Sequence, residues 1–129
     1  MSLKILLVED NLLNRELAET LLEVAGHKVV VATTGKEFRA HVASGLIPDL
    51  ILMDILLPDV TGTNLLAELR AAGALPGVPV IALTAQALSD DTPRFLAAGF
   101  DTVLTKPINT RTFASEVASW VTGRTRKAL

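Results

Sequence analysis

Five short apolar runs alternate along this chain with stretches of helical periodicity: Leu3 to Val8, Lys28 to Ala32, Leu50 to Met53, Val78 to Leu83 and Thr102 to Leu104. Several are nearly continuous Leu, Ile and Val, the pattern of strands covered on both faces rather than one. Five alternations of strand and helix imply a parallel sheet joined by right-handed crossovers. The expected fold is therefore α/β, a single doubly wound five-stranded parallel sheet with five helices.

The helical stretches carry apolar stripes of their own. Leu17, Leu21, Leu22 and Val24 mark the first, Phe38, Val42 and Leu46 the second, and Leu65, Leu66 and Leu69 the third. Phe95 and Leu96 mark the fourth; Phe113, Val117, Trp120 and Val121 mark the last. Gly26, Gly45, Gly73, Gly99 and Gly123 stand where helices should end. Asn11, Thr61 or Gly62, and Asn109 are placed to begin the first, third and fifth. Pro48 and Pro79 fall at strand starts, where a missing N–H does little harm. Ser89-Asp90-Asp91-Thr92 signals a helix start, but Pro93 is tolerated only in a first turn. The fourth helix should thus begin near Ser89 or Asp90 and be short, leaving Gln86 to Ser89 as a loop.

At 129 residues the chain is long enough to bury one core. With 50% hydrophobic and 20% charged residues it reads as a compact domain rather than a disordered segment. Residues 1–123 are expected to form that domain, with 124–129 a short basic tail. A net charge of -2 provides no field for a nucleic-acid backbone, so direct DNA binding is not expected. The absence of cysteine excludes disulfides and thiolate metal sites. No apolar run approaches the roughly 20 residues that cross a bilayer, and no signal peptide is evident. A cytoplasmic protein without membrane contact is expected. His27 precedes a strand and His41 lies in a helix, so both read as exposed or packed residues, not metal ligands. Gly35-Lys36 lacks the earlier glycine of a phosphate-binding loop.

Chemistry concentrates at the ends of the apolar runs. Glu9 and Asp10 follow the first, Asp54 the third, Thr84 the fourth and Lys106 the fifth. In an open parallel sheet the strand carboxyl ends share one edge, so folding would gather these side chains in one crevice. Asp54 taken singly could be a turn cap, Thr84 a β-former and Lys106 a surface lysine; the shared edge is what gives them joint meaning. Three carboxylates so close repel one another and raise the apparent pKa of the cluster unless a cation is present. Hard carboxylate oxygens, a backbone carbonyl and waters suit Mg²⁺, with Asp10 and Asp54 as direct ligands and Glu9 acting through water. A hydroxyl from Thr84 and an ammonium from Lys106 can bind phosphoryl oxygens. An X-Pro bond is unusually prone to be cis, and a fixed turn at Lys106-Pro107 would aim the lysine inward.

Together the Val8-Glu9-Asp10-Asn11 turn, Met53-Asp54 with Pro58 and Gly62, Thr84-Ala85 and Lys106-Pro107 resemble the response-regulator receiver domain, the CheY-like family. The resemblance covers essentially the whole chain. It is closest to single-domain cell-cycle-type regulators and to receivers attached to hybrid histidine kinases. It implies a flavodoxin-like sheet of order 2-1-3-4-5, and that Asp54 is the phosphoacceptor. The donor would be a phosphohistidine on a histidine kinase or histidine phosphotransfer protein. Thr84 and Lys106 would bind the phosphoryl oxygens and draw in the loop after the fourth strand. That would reshape the surface of helix four, strand five and helix five for a downstream protein target.

Three positions depart from the family pattern or refine it. The family usually has Tyr or Phe three residues before the lysine, where this chain has Val103, so any switch should run through the loop and helix four. Leu56 and Gln86 occupy the positions that flank the path of attacking water. Apolar Leu56 cannot orient a water, which implies slow self-dephosphorylation, although its backbone carbonyl can still serve Mg²⁺. The competing readings are a phosphorylation-independent interaction module of the same fold and a receiver excised from a hybrid kinase. A small-molecule phosphatase is disfavoured by the lack of a clear second acid.

Overall fold

The computed structural model describes residues 2–85 and 91–128 of the chain. Its elements in order are β1 (Lys4–Val8), α1 (Leu12–Val24), β2 (Lys28–Ala32), α2 (Gly35–Ala43), β3 (Leu50–Asp54), α3 (Gly62–Ala71), β4 (Val80–Thr84), α4 (Asp91–Ala98), β5 (Thr102–Thr105) and α5 (Phe113–Ala128). The strands are all parallel and lie in the order β2-β1-β3-β4-β5. The doubly wound sheet expected from the alternation of strand and helix is the one found.

Side-chain alternation divides the apolar runs between two cores, one on each face. Leu6, Val8, Ile51, Met53, Val80 and Ala82 face Phe38 of α2, Leu65, Leu66 and Leu69 of α3, and Phe95 of α4. Ile5, Leu7, Leu50, Leu52, Ile81 and Leu83 face Ala18 and Leu22 of α1 and Phe113 and Val117 of α5. Every residue of β3 and β4 is buried, which explains why those runs show no polar alternation.

Start signals worked where a side chain meets a first-turn N–H. Asn11 accepts from Asn14 N–H and Thr61 from Asn64 N–H, each capping its helix. Pro79 has no N–H to offer the ladder, so β4 begins one residue later, where Val80 N–H donates to Asp101 Oδ2 at 2.8 Å. Pro93 sits in the first described turn of α4, and this helix is short, as expected. The start expected at Ser89 or Asp90 and the loop Gln86 to Ser89 lie outside the described residues. Gly26, Gly45, Gly73 and Gly99 all take positive φ just past α1 to α4.

Other expectations need correction. Val24 and Leu17 do not belong to the buried stripe of α1: Val24 is 83% exposed and Leu17 37%, while Ala18 and Leu22 are buried. Val24 lies two residues, about 200° of helical rotation, beyond Leu22 and so faces away from the sheet. Leu96 is likewise turned outward beside buried Phe95. Leu46 packs on the α2-side core, but from beyond the end of α2. Asn109 caps a lead-in turn, accepting from Arg111 N–H at 3.0 Å, and α5 proper starts at Phe113. Gly123 does not end α5, which continues to Ala128. A helix-interior glycine costs only about 1 kcal/mol and the following residues Arg124, Arg126, Lys127 and Ala128 are mostly good helix formers.

His27 is a packed residue: it is 8% exposed and its Nδ1 accepts Leu3 N–H at 3.1 Å, tying the β2 entrance to the start of β1. Burial holds its pKa below the usual 6.5. A depressed histidine contributes stability above its ordinary pKa and loses it as pH falls through the folded value. The stability difference between wild type and His27→Gln should therefore shrink as pH is lowered from 7.5 to 5.5, read from denaturant midpoints; a difference constant with pH would refute this.

Candidate functional site

Sheet register brings the site together. Val8 pairs with Met53 and Met53 with Ala82, so Glu9 and Asp54 occupy the next row of neighbouring strands. Asp54 and Thr84 are the last residues of β3 and β4, while Glu9, Asp10 and Lys106 lie just beyond β1 and β5. The ladder continues one step past the strands: Glu9 N–H bonds Ala32 O at 3.0 Å, and Lys106 N–H bonds Thr84 O at 2.8 Å. These main-chain bonds fix where each side chain departs.

Lys106 reaches back over the sheet edge. Its Nζ lies 2.5 Å from Glu9 Oε1 and 3.2 Å from Asp54 Oδ2. Glu9 and Asp54 are buried, at 1% and 6% exposure, and Asp10 is exposed. Carboxylate oxygens of Glu9, Asp10 and Asp54 all fall within 4.8 Å of one another, close enough to share one metal ion. Thr84 is buried at the end of β4 and pairs in register with Thr105, the neighbour of Lys106. The Lys106-Pro107 peptide is cis.

The electrostatics follow from burying several charges together. Burial, reinforced by the neighbouring Asp54, raises the Glu9 carboxyl from 4.5 to about 7 against the opposing pull of Lys106. Repulsion between carboxylates was the expected cause; desolvation is the larger one. For Lys106, burial acts to lower the pKa, but the contacts with Glu9 and Asp54 outweigh it and the net shift is upward.

The loop 55–61 completes the edge. Leu56 N–H donates to Asp54 Oδ1 at 3.2 Å, and Leu56 forms an antiparallel bridge with Thr61. Gly62 N–H bonds Ile55 O at 2.7 Å. A Cβ on Gly62 would come 2.4 Å from the carbonyl oxygen of Asp54, so only glycine lets α3 begin this close to the phosphoacceptor candidate. The side chain of Leu56 is exposed; Gln86 lies outside the described residues. Val103 packs on the α4-side core beside the central strands.

One participant was not singled out from sequence. Asp59, in the same loop, accepts from Gly35 N–H at 2.8 Å and Lys36 N–H at 3.1 Å. Gly35-Lys36 is thus no phosphate loop, as expected, yet its backbone donors do bind an anion, the carboxylate of Asp59. An acidic residue between Pro58 and Val60 was the available signal, but nothing local tells which helix it will meet.

The family model of the response regulator receiver domain matches residues 5–118. The chain belongs to the response-regulator receiver family. This receiver is 36% identical over 121 residues to the polar-differentiation response regulator DivK of Brucella ovis, covering 94% of the chain and 98% of that protein. It is 37% identical over 112 residues to hybrid signal transduction histidine kinase I of Dictyostelium discoideum, covering 82% of the chain but only 6% of the kinase. Among solved structures, a CheY-like receiver from Methanospirillum hungatei JF-1 superimposes with TM-score 0.84 at 29% identity, covering 96% of this chain and 97% of that one. The receiver domain of a signal transduction histidine kinase from Syntrophus aciditrophicus gives TM-score 0.80 at 33% identity, covering 93% and 90%. The chain is a receiver domain of two-component signalling. No helix among the described residues is long and apolar enough to cross a membrane.

The raised Glu9 pKa has a measurable consequence. An acid whose folded pKa exceeds its unfolded value stabilises below the unfolded value and loses that contribution as pH rises through the folded one, here between 4.5 and about 7. Without divalent cations, Glu9→Gln should therefore be more stable than wild type at pH 8, and the gain should vanish near pH 5. Urea denaturation at both pH values checks this; a destabilised variant at pH 8 would contradict it.

Proposed function

We propose that this receiver is a phosphoacceptor switch in which Asp54 takes a phosphoryl group from the phosphohistidine of a histidine kinase or phosphotransfer protein. The observation that carries the reading is the contact of one ammonium, Lys106, with two buried carboxylates at an edge where a third lies within 4.8 Å. A structural salt bridge needs only one acid for its base, whereas this edge holds three acids near a single lysine. A site that must receive both a divalent cation and a phosphoryl anion has reason to hold them.

In this reading Asp10, Asp54 and the Leu56 carbonyl hold Mg²⁺ directly, and Glu9 holds it through water. The carboxylate spacing fits a hard oxygen-seeking cation. When bound, Mg²⁺ supplies charge neutralisation between the anionic aspartate and the incoming phosphoryl group. The chemistry belongs to Asp54: a carboxylate oxygen attacks phosphorus, the P–N bond to imidazole breaks, and its electron pair leaves with the nitrogen. Lys106 moves its attraction from Glu9 and Asp54 to the phosphoryl oxygens, and the Thr84 hydroxyl donates to another.

A protein donor suits the surroundings. The helix α1 starts two residues after Asp10 and exposes Leu12 and Leu13, while Leu56 exposes its side chain from the opposite loop. Apolar side chains around an acidic site offer contact area to a partner helix, not to a small ion. The output follows through the β4–α4 connection to the α4-β5-α5 surface and a downstream protein target. Val103 cannot swing an aromatic ring, so the threonine shift acts through α4. A cytoplasmic location without DNA or membrane contact, a domain of 1–123 with a basic tail at 124–129, and service either alone or within a hybrid kinase belong to the same proposal.

Acetyl phosphate with Mg²⁺ should add the mass of one phosphoryl group to the purified protein, and Asp54→Asn should abolish the addition. Beryllofluoride should perturb amide signals of α4 and β5 only when Mg²⁺ is present. Val103 favours one second reading, an interaction module that needs no phosphorylation; that reading predicts no addition and no perturbation.

The same preparation tests lifetime. Because Leu56 has no polar atom with which to orient a water, the phosphoryl group should persist for many minutes after removal of the donor. Timed mass spectrometry would show it, and a half-life of seconds would sink the idea. Leu56→Asn should shorten the lifetime.

A further inference from the structure

Strand β1 lies between β2 and β3, yet the segments leaving β2 and β3 meet across its carboxyl end. The link is Asp59. Gly35 and Lys36 open α2, and first-turn N–H groups have no partner inside their helix. The Asp59 carboxylate takes both, at 2.8 and 3.1 Å. Thr34 satisfies the next position by accepting from Glu37 N–H at 3.0 Å. The bonds from Gly35 and Lys36 hold the Asp59 pKa below the usual carboxylate range. Packing reinforces the link: a Cβ on Gly35 would lie 2.3 Å from Val60 Cγ1, so the loop is seated directly against the helix backbone.

The loop 55–61 is consequently held at two places. Its root is fixed to β3 by the Gly62–Ile55 bond and the Leu56–Thr61 bridge. Its tip is fixed to α2 by Asp59. Leu56 belongs to the root, its main chain bridged to Thr61 and its N–H on Asp54 Oδ1, while its side chain is 64% exposed; the tip bond at Asp59 fixes the other end of the same short loop. Mg²⁺ tolerates little departure from octahedral geometry, so a main-chain ligand on an untethered loop would bind it poorly.

We propose that Asp59 is a positioning residue for the divalent cation: by anchoring the loop to the first turn of α2 it sets the Leu56 main chain relative to the carboxylates of Asp10 and Asp54. This rests on the phosphoacceptor reading above. Asp59 touches no reacting atom and acts only through the loop.

The test compares Mg²⁺ dependence of phosphoryl uptake from acetyl phosphate in wild type, Asp59→Ala, Asp59→Asn and Gly35→Ala, with Mg²⁺ affinity measured independently by isothermal titration. Asp59→Ala should raise the Mg²⁺ concentration for half-maximal uptake, and the dissociation constant in parallel, by about tenfold, leaving the rate at saturating Mg²⁺ unchanged. Asp59→Asn keeps one acceptor and should fall between. Gly35→Ala, which pushes Val60 away while leaving Asp59 intact, should weaken Mg²⁺ in the same direction. Should Asp59→Ala fail to fold, the other two variants decide. A lowered unfolding temperature with unchanged Mg²⁺ half-saturation would reduce Asp59 to a structural residue and overturn the inference. Failure of the wild type itself to bind Mg²⁺ or take up phosphoryl would instead overturn the reading of the site.

Discussion

The contact on which the rest depends is that of Lys106 Nζ with Glu9 Oε1 and Asp54 Oδ2. Two carboxylates are buried at the end of a sheet whose central strands are otherwise aliphatic, a placement that is costly unless the charges are compensated. One ammonium cannot neutralise two carboxylates, and Asp10 adds a third within reach. The site is therefore left short of positive charge. The Glu9 pKa is raised mainly by burial, and the neighbouring Asp54 adds to it. A divalent cation would balance the shortage, and in the proposed reading an incoming phosphoryl group then finds both cation and lysine in place. On that reading, affinity for metal and affinity for phosphoryl are two consequences of one imbalance.

Lys106 has a position from which it can serve either state. Its main chain is fixed by the bond to Thr84 O, while a four-carbon stem leaves the ammonium free to exchange one set of oxygens for another. An arginine would bring a planar fork better matched to one carboxylate than to a change of partner. Buried ion pairs of this kind contribute little net stability, since desolvation offsets most of the attraction. The arrangement is understandable as a cost carried for function rather than as a stabilising feature of the fold.

Much of this was legible in the chain because parallel sheets obey strict rules. Near-continuous aliphatic runs separated by helical stretches leave few topologies, and the carboxyl edge then collects whatever follows each run. Asp54, Glu9, Asp10, Thr84 and Lys106 could be placed together on that ground alone. What was not legible depended on rotation or on distant pairing. Val24 and Leu96 are apolar residues at helix positions, but only the phase set by Leu22 and Phe95 shows that they point outward. Gly123 looked like a terminator, yet glycine ends a helix only when the chain turns left-handed after it, and here the helix goes on. Asp59 was silent because its partners are more than twenty residues away on another helix.

The two faces of the sheet serve the edge unequally. On the α2-α3-α4 face, Asp59 and Gly62 hold the loop after β3 firmly to α2 and to the Asp54 backbone. On the other side of Asp54, β4 and β5 present Thr84 and Val103, and there the family's aromatic lever is replaced by a short branched side chain packed in the core. If Asp54 is phosphorylated as proposed, a fixed receiving side paired with a shortened transmitting side limits how far the change can propagate. In the proposed reading a displacement at Thr84 reaches the α4-β5-α5 surface chiefly through α4, since Val103 has no ring to swing. On the same reading the short helix Asp91–Ala98, which packs through Phe95 and leaves Leu96 exposed, is the element best placed to carry the signal.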